Sequence, residues 1–184
     1  VRLMLGISHA MSRLMTAGAA PAAAATSGGR YLPLPPARIL DTRYGVGAPA
    51  GFVQAGTTLN LTVAGSGGVP ASGATAVVLN VTVTGPAAPG YIIVWPTGGA
   101  APVASNLNFT ADQTVPNLVE VGLGTGGQVS IFASTRLYVI ADVEGWVNNI
   151  PTGSDGRFNP LVPARLLDTR IGLGGSSTLA TGGI

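Results

Sequence analysis

The sequence has no cysteine, and every one of its nine Lys/Arg positions is an arginine. The first absence removes disulfides, thiol nucleophiles and thiolate metal sites. The second removes Schiff-base lysines and the lysine of a phosphate-binding loop. The only histidine is His9, near the N-terminus, so a Ser-His-Asp triad in the rest of the chain is excluded. Charge of either sign is scarce, at 9% of 184 residues. Between Arg30 and Ile150 four arginines (Arg30, Arg38, Arg43 and Arg136) stand against five acids (Asp41, Asp112, Glu120, Asp142 and Glu144). That stretch carries no basic stripe of the kind that neutralises phosphates, and nucleic acid is not expected as a partner. No run approaches the roughly 20 apolar residues of a membrane span. The acids Asp41, Asp112, Asp142, Glu144 and Asp155 include no Asp-x-Asp-x-Asp-Gly loop, so no calcium site, other metal or cofactor is expected.

What the chain does have is 28 Gly, 14 Pro and an apolar content of 46%. So many helix breakers exclude a helical protein. The hydrophobicity excludes a disordered one, and short strands joined by Gly/Pro turns remain. The apolar period is two. Leu59, Leu61 and Val63 alternate with polar residues, and so do Val77, Leu79, Val81 and Val83, as in half-buried antiparallel strands. Further strands are expected at Tyr91–Trp95, Val103–Phe109, Val115–Val121, Gln128–Phe132 and Leu137–Val143. Gly85-Pro86, Pro89-Gly90, Thr97–Gly99 and Gly124–Gly127 break them. The expected fold class is all-β: an antiparallel β-sandwich of seven to nine strands, jelly-roll or immunoglobulin-like, with no long helix after residue 29. Its core is expected to include Leu59, Leu61, Val77, Leu79, Val81, Val83, Val139 and Ala141.

Residues 1–29 have their own character. Two arginines without an acid, a short apolar run and an Ala-rich stretch follow the order of a signal peptide, with cleavage after Ala25; a linker from a preceding domain is the alternative. Beyond it lies an internal repeat. Arg30-Tyr-Leu-Pro-Leu-Pro-Pro-Ala-Arg-Ile-Leu-Asp-Thr-Arg43 recurs without a gap as Arg157-Phe-Asn-Pro-Leu-Val-Pro-Ala-Arg-Leu-Leu-Asp-Thr-Arg170, and Gly45 and Gly47 recur as Gly172 and Gly174. The repeat unit is a whole domain, too long for a solenoid. The expected organisation is a tandem repeat: a first copy over 30–156 and the truncated opening of a second over 157–184. The second copy's opening cannot bury its own apolar face, so it is expected to be extended, and either loosely attached or paired with an edge of the first.

Six motifs in order carry a resemblance. They are the nonapeptide 35–43, Leu-Asn-Val-Thr-Val-Thr (79–84), Gly-Tyr-Ile-Ile-Val-Trp-Pro (90–96), Ser-Asn-Leu-Asn-Phe (105–109), Gln-Thr-Val-Pro-Asn (113–117) and Ala-Asp-Val-Glu-Gly-Trp (141–146). Together they resemble a tandem β-repeat domain of secreted multidomain proteins from high-GC bacteria, often appended to peptidases or cell-wall amidases. The resemblance covers essentially all of 30–150. It implies an extracellular, cell-surface module and brings no catalytic residue with it.

Candidate site residues fall into four groups. Arg38, Asp41 and Arg43, repeated as Arg165, Asp168 and Arg170, suit either a small acidic ligand or a structural role. The structural role is preferred, because a charge leaving water needs a partner. In it Asp41 caps a turn while Arg43 pairs with Asp142 or Glu144 on the last strand. Tyr91 and Trp95 lie on one side of one strand, either as a ligand-binding platform that stacks on sugars or, more commonly for large aromatics, buried. Trp146 is read as a core plug. Asn60, Asn80, Asn106, Asn108 and Asn117 are many amides for strands, and are read as a polar sheet face or as partners of loop backbone rather than as glycan acceptors. Glu120 and Glu144 are not expected to share a cleft, which argues against glycoside hydrolysis.

The function expected from these residues together with what the resemblance implies is a non-catalytic extracellular module, a spacer or adhesion element of a secreted or cell-wall-associated multidomain protein. The alternative is a carbohydrate- or peptidoglycan-binding module that targets an attached hydrolase. The partners expected are polysaccharide or cell wall and other domains of the same chain.

Overall fold

Gly and Pro cut the chain into short extended pieces, and the apolar alternation decides which side of each is buried. The structure, a computed structural model, describes residues 29–148 and 161–175. The leader expected over 1–29 lies outside the described residues save for Gly29, and so do the junction 149–160 and the stretch 176–184. Among the described residues there are eight strands and one short 3-10 turn, Thr125–Gly127. The strands are β1 (Tyr31–Asp41), β2 (Thr57–Thr62), β3 (Ala74–Thr84), β4 (Gly90–Pro96), β5 (Leu107–Phe109), β6 (Val115–Gly122), β7 (Gln128–Ala133) and β8 (Tyr138–Asn148).

They form two four-stranded antiparallel sheets, ordered β1-β8-β3-β6 and β2-β7-β4-β5. First pairs with last, second with seventh, third with sixth and fourth with fifth. One core cluster draws on both sheets, with Leu79, Val81, Val83, Val139 and Ala141 from the first and Leu61, Val94, Val129 and Ile131 from the second. Of the residues expected in it, Leu59 is half-buried and packs against the cluster; the other seven are buried. The expected all-β arrangement of opposed antiparallel sheets is therefore present, and no α-helix occurs among the described residues.

Three strands depart from expectation for readable reasons. β1 is an 11-residue strand although it contains Pro33, Pro35 and Pro36. It survives because it is an edge strand, where a missing N–H faces solvent, and the pairing to β8 skips from Pro33 to Ala37. β5 begins at Leu107 rather than Val103, and β8 continues to Asn148 rather than ending at Val143. Residues 38–43 read as a strand end with strict alternation, Arg38, Leu40 and Thr42 on one side with Leu40 inward and Ile39, Asp41 and Arg43 on the other, but that alternation fails. Arg38 pairs with Asp142 and Leu40 with Ala141, so Ile39 is an extra residue on β1. This bulge turns both Ile39 and Leu40 into the core.

Candidate functional site

Two constructions involve the residues singled out by sequence. The first is an arginine clasp at the end of β1. Asp41 is buried, and its Oδ1 accepts the Arg43 backbone N–H at 3.1 Å, closing the turn as expected of a capping aspartate. The same carboxylate takes Arg43 as a fork, Nε to Oδ1 at 2.9 Å and Nη2 to Oδ2 at 2.7 Å, and Arg38 Nη1 reaches Oδ2 at 3.3 Å. The side-chain hydrogen bond from Arg43 holds the Asp41 carboxyl below its usual range, against the opposing effect of burial; the Arg43 N–H and the two guanidinium charges act in the same direction as that bond.

The expected pairing of Arg43 with Asp142 or Glu144 does not occur. Arg43 is spent on Asp41, two residues away, and Arg38 makes the cross-strand link, Nε to Asp142 Oδ1 at 2.9 Å and Nη2 to Oδ2 at 3.2 Å. The register explains this, since Arg38 and Asp142 are direct partners across the β1–β8 ladder. Thr42 adds a buried tie, its Oγ1 accepting the Val139 N–H at 3.1 Å. The ends of the sheet sequence are thus joined, though by a different arginine.

The clasp is built a second time. Asp168 Oδ1 accepts the Arg170 N–H at 3.1 Å and Nε at 2.9 Å, its Oδ2 accepts Nη2 at 2.7 Å, and Arg165 Nη1 reaches Oδ2 at 2.7 Å. The backbone repeats too, as Asp41 bridges Val46 and Asp168 bridges Leu173. Gly47 and Gly174 both have positive φ, and a side chain there would run into the carbonyl of Ile39 or of Leu166 respectively. Asp168 is likewise held below the usual carboxylate range, chiefly by Arg170.

The second construction is a groove of about 390 Å³ across the outer face of the first sheet, lined by Tyr31, Val78, Leu118, Glu120, Glu144 and Val147. Tyr31 and Leu118 are exposed, whereas Val78 and Val147 are buried. Gly145 makes the groove possible, because any side chain there would collide with the Tyr31 ring. The Tyr31 hydroxyl donates to the Glu144 carbonyl at 3.2 Å and holds the ring in place. Glu120 and Glu144, not expected to share a cleft, line this one together, because the β3 register sets Val78 opposite both Glu120 and Gly145.

The expected aromatic platform is not a pair. Tyr91 is 40% exposed, tilted against Phe132, but Trp95 is only 6% exposed and its Nε1 donates to the Gly99 carbonyl at 3.0 Å. The 97–99 turn occupies the indole N–H that a ligand would use. Trp146 packs half-buried against the core cluster. Asn106 Oδ1 accepts the Val94 N–H, Asn117 Nδ2 donates to the Asn106 carbonyl, and Asn60 Oδ1 accepts from Ser130. These three amides are bonded within the fold. Asn108 accepts from Ser105, and Asn80 sits half-buried in β3. Among the described residues no group of His, Cys, Asp and Glu could hold a metal ion, and no helix is long and apolar enough to cross a membrane.

The groove escaped sequence reasoning because its walls are scattered between residues 31 and 147. The only signal was an aromatic at the same place in both copies of the repeat, Tyr31 and Phe158. Comparison with protein-family models, with curated proteins and with solved structures finds no match.

Proposed function

We propose that the chain is a non-catalytic, extracellular β-sandwich module of jelly-roll topology, one of several set in tandem in a secreted or cell-wall-associated protein, where it acts as a spacer and adhesion element. The observation that carries this reading is the clasp built twice. Two copies of a turn with the same hydrogen bonds, in two copies of one sequence segment, are what a second module's opening strand would contain. Support for the jelly roll comes from the strand pairs one with eight, two with seven, three with six and four with five, as in a long hairpin rolled into two sheets. An immunoglobulin-like sandwich of the seven-stranded type divides its strands four and three. The clasp and the Thr42 bond tie the first strand to the last, which suits an element pulled from both ends. The described residues hold no Cys, His or Lys, and the groove with its two carboxylates is open to water. A site that leaves water in place loses most of the electrostatic stabilisation on which catalysis depends.

The test is excision. Residues 29–156 expressed alone should melt cooperatively, at the midpoint of the 184-residue chain. Failure to fold, or a clearly lower midpoint, would mean that the 161–175 region belongs to the same folding unit and would overturn the module reading.

A further inference from the structure

The groove on the outer face of the first sheet has a chemistry that narrows its occupant. Its floor, Val78 and Val147, is apolar, and one wall is the tyrosine ring held by its bond to the Glu144 carbonyl. The polar side chains added to these are two carboxylates, and no cation among the described residues lines it. Among the described residues Glu120, Glu144 and the turn residue Asp112 join no ion pair, whereas Asp41, Asp142 and Asp168 all do. In a chain with 9% charged residues, two acids left without arginine in one groove favour a positively charged ligand and repel a uronic or phosphorylated one.

The placement also separates a sugar from a peptide. The groove crosses the face of a sheet whose N–H and C=O groups are paired within the sheet plane between β1, β8, β3 and β6. A peptide backbone laid there finds no main-chain partners, in contrast to strand addition at a sheet edge. A pyranose ring has the opposite requirements. Its C–H faces suit an aromatic wall and an apolar floor, and its polar groups project from the rim toward side-chain acceptors.

We propose that this groove binds a pyranose unit bearing a free amino group, as in a de-N-acetylated polysaccharide. The sugar face lies on Tyr31 and Leu118, and the ammonium sits between Glu120 and Glu144. The proposal rests on the module reading for its biological setting only, since the binding needs neither the tandem arrangement nor export.

Calorimetric titration of the 184-residue chain with a glucosamine hexamer, its N-acetylated counterpart and hexalysine tests it. The glucosamine oligomer should bind, and added salt should weaken it. The acetylated oligomer, and separately the variants Glu120→Gln and Glu144→Gln, should each lose about tenfold in affinity, as expected for a hydrogen bond to a charged group. Leu118→Ala, on an exposed side chain, should weaken both oligomers alike. Amide shifts in the unmodified protein should centre on Tyr31, Val78, Leu118, Glu120, Glu144 and Val147, a readout that needs no variant to fold. Equal affinity for the two oligomers, indifference to both Gln variants, shifts elsewhere or no binding would overturn the proposal. Hexalysine binding that is tighter than the sugar's and lost in the same variants would make this a cationic-peptide site instead. Excision of residues 29–156 would test the module reading separately from any of these results.

Discussion

The segments that lead into Asp41 and Asp168 share the run Pro-Ala-Arg-(Ile/Leu)-Leu-Asp-Thr-Arg, and both end in the same clasped turn. Upstream of the turn they part. Residues 31–41 are a strand laid on β8, whereas 161–167 pair with no strand among the described residues. Leu40 is fully buried where Leu167 is 60% exposed, and Ile39 is 6% exposed where Leu166 is 83% exposed. The difference separates two kinds of encoding. The turn is made from contacts within about nine residues: an aspartate that accepts its own neighbour's N–H, an arginine fork and a glycine at positive φ. A strand state needs a ladder partner and a covered face, and no local sequence supplies either.

The largest expected effect comes from removing the carboxylate on each side of this comparison. Asp41→Ala strands the Arg43 guanidinium and N–H beside a buried position and takes one bond from Arg38, which keeps Asp142, and should cost about 1–3 kcal/mol in chemical denaturation. Asp168→Ala removes the same bonds from a turn that supports no sheet, and should leave the midpoint of the 29–148 unit unchanged. Equal losses would mean that both turns belong to one cooperative unit.

Acid should sharpen the same contrast. In the unfolded chain Asp41 takes up its proton near the ordinary aspartate value of about 3.9. In the folded chain Arg43 keeps it ionised to lower pH. Its contribution to stability is therefore whole above that ordinary value and is lost as pH falls through the lower folded one. Carboxyl NMR titration should find both Asp41 and Asp168 below the ordinary range, with only Asp41→Asn flattening the acid side of the stability curve. An unchanged acid limb in that variant would disconnect the clasp from global stability.

The smallest effect is expected at the outer arginines. Arg38 reaches Asp142 with two bonds but is 46% exposed, so Arg38→Gln should cost at most about 1 kcal/mol. Arg165→Gln should cost nothing measurable in the same melt. A larger loss at Arg38 than at Asp41 would place the clasp's energy in the cross-strand link rather than in the turn.

Much of this was legible in the residues. Alternation over Val77–Val83 announced a strand with one face inward, and the Gly/Pro breaks marked most of the turns. Asp41 as a turn cap followed from Asp-Thr-Arg-x-Gly. Three readings needed the fold. Prolines hid the first part of β1, ahead of the strand end at 38–41, because only its position at a sheet edge makes them tolerable. The bulge at Ile39 brings that residue into the core beside Leu40, where alternation places it on the opposite face. The arginine that crosses to β8 depends on register, which no spacing within 38–43 reveals.

By itself the sequence determined the all-β class, the strand-and-turn rhythm and the aspartate cap of each turn, because side-chain period, φ preference and i to i+2 hydrogen bonding act over a few residues. The tertiary structure alone decided that Tyr31, Val78, Leu118, Glu120, Glu144 and Val147 share a groove, and that Trp95 is closed off while Tyr31 is open. Those neighbours come from four different strands. Only the pairing of β1, β8, β3 and β6, driven by burial of the opposite face, brings them within reach of one ligand.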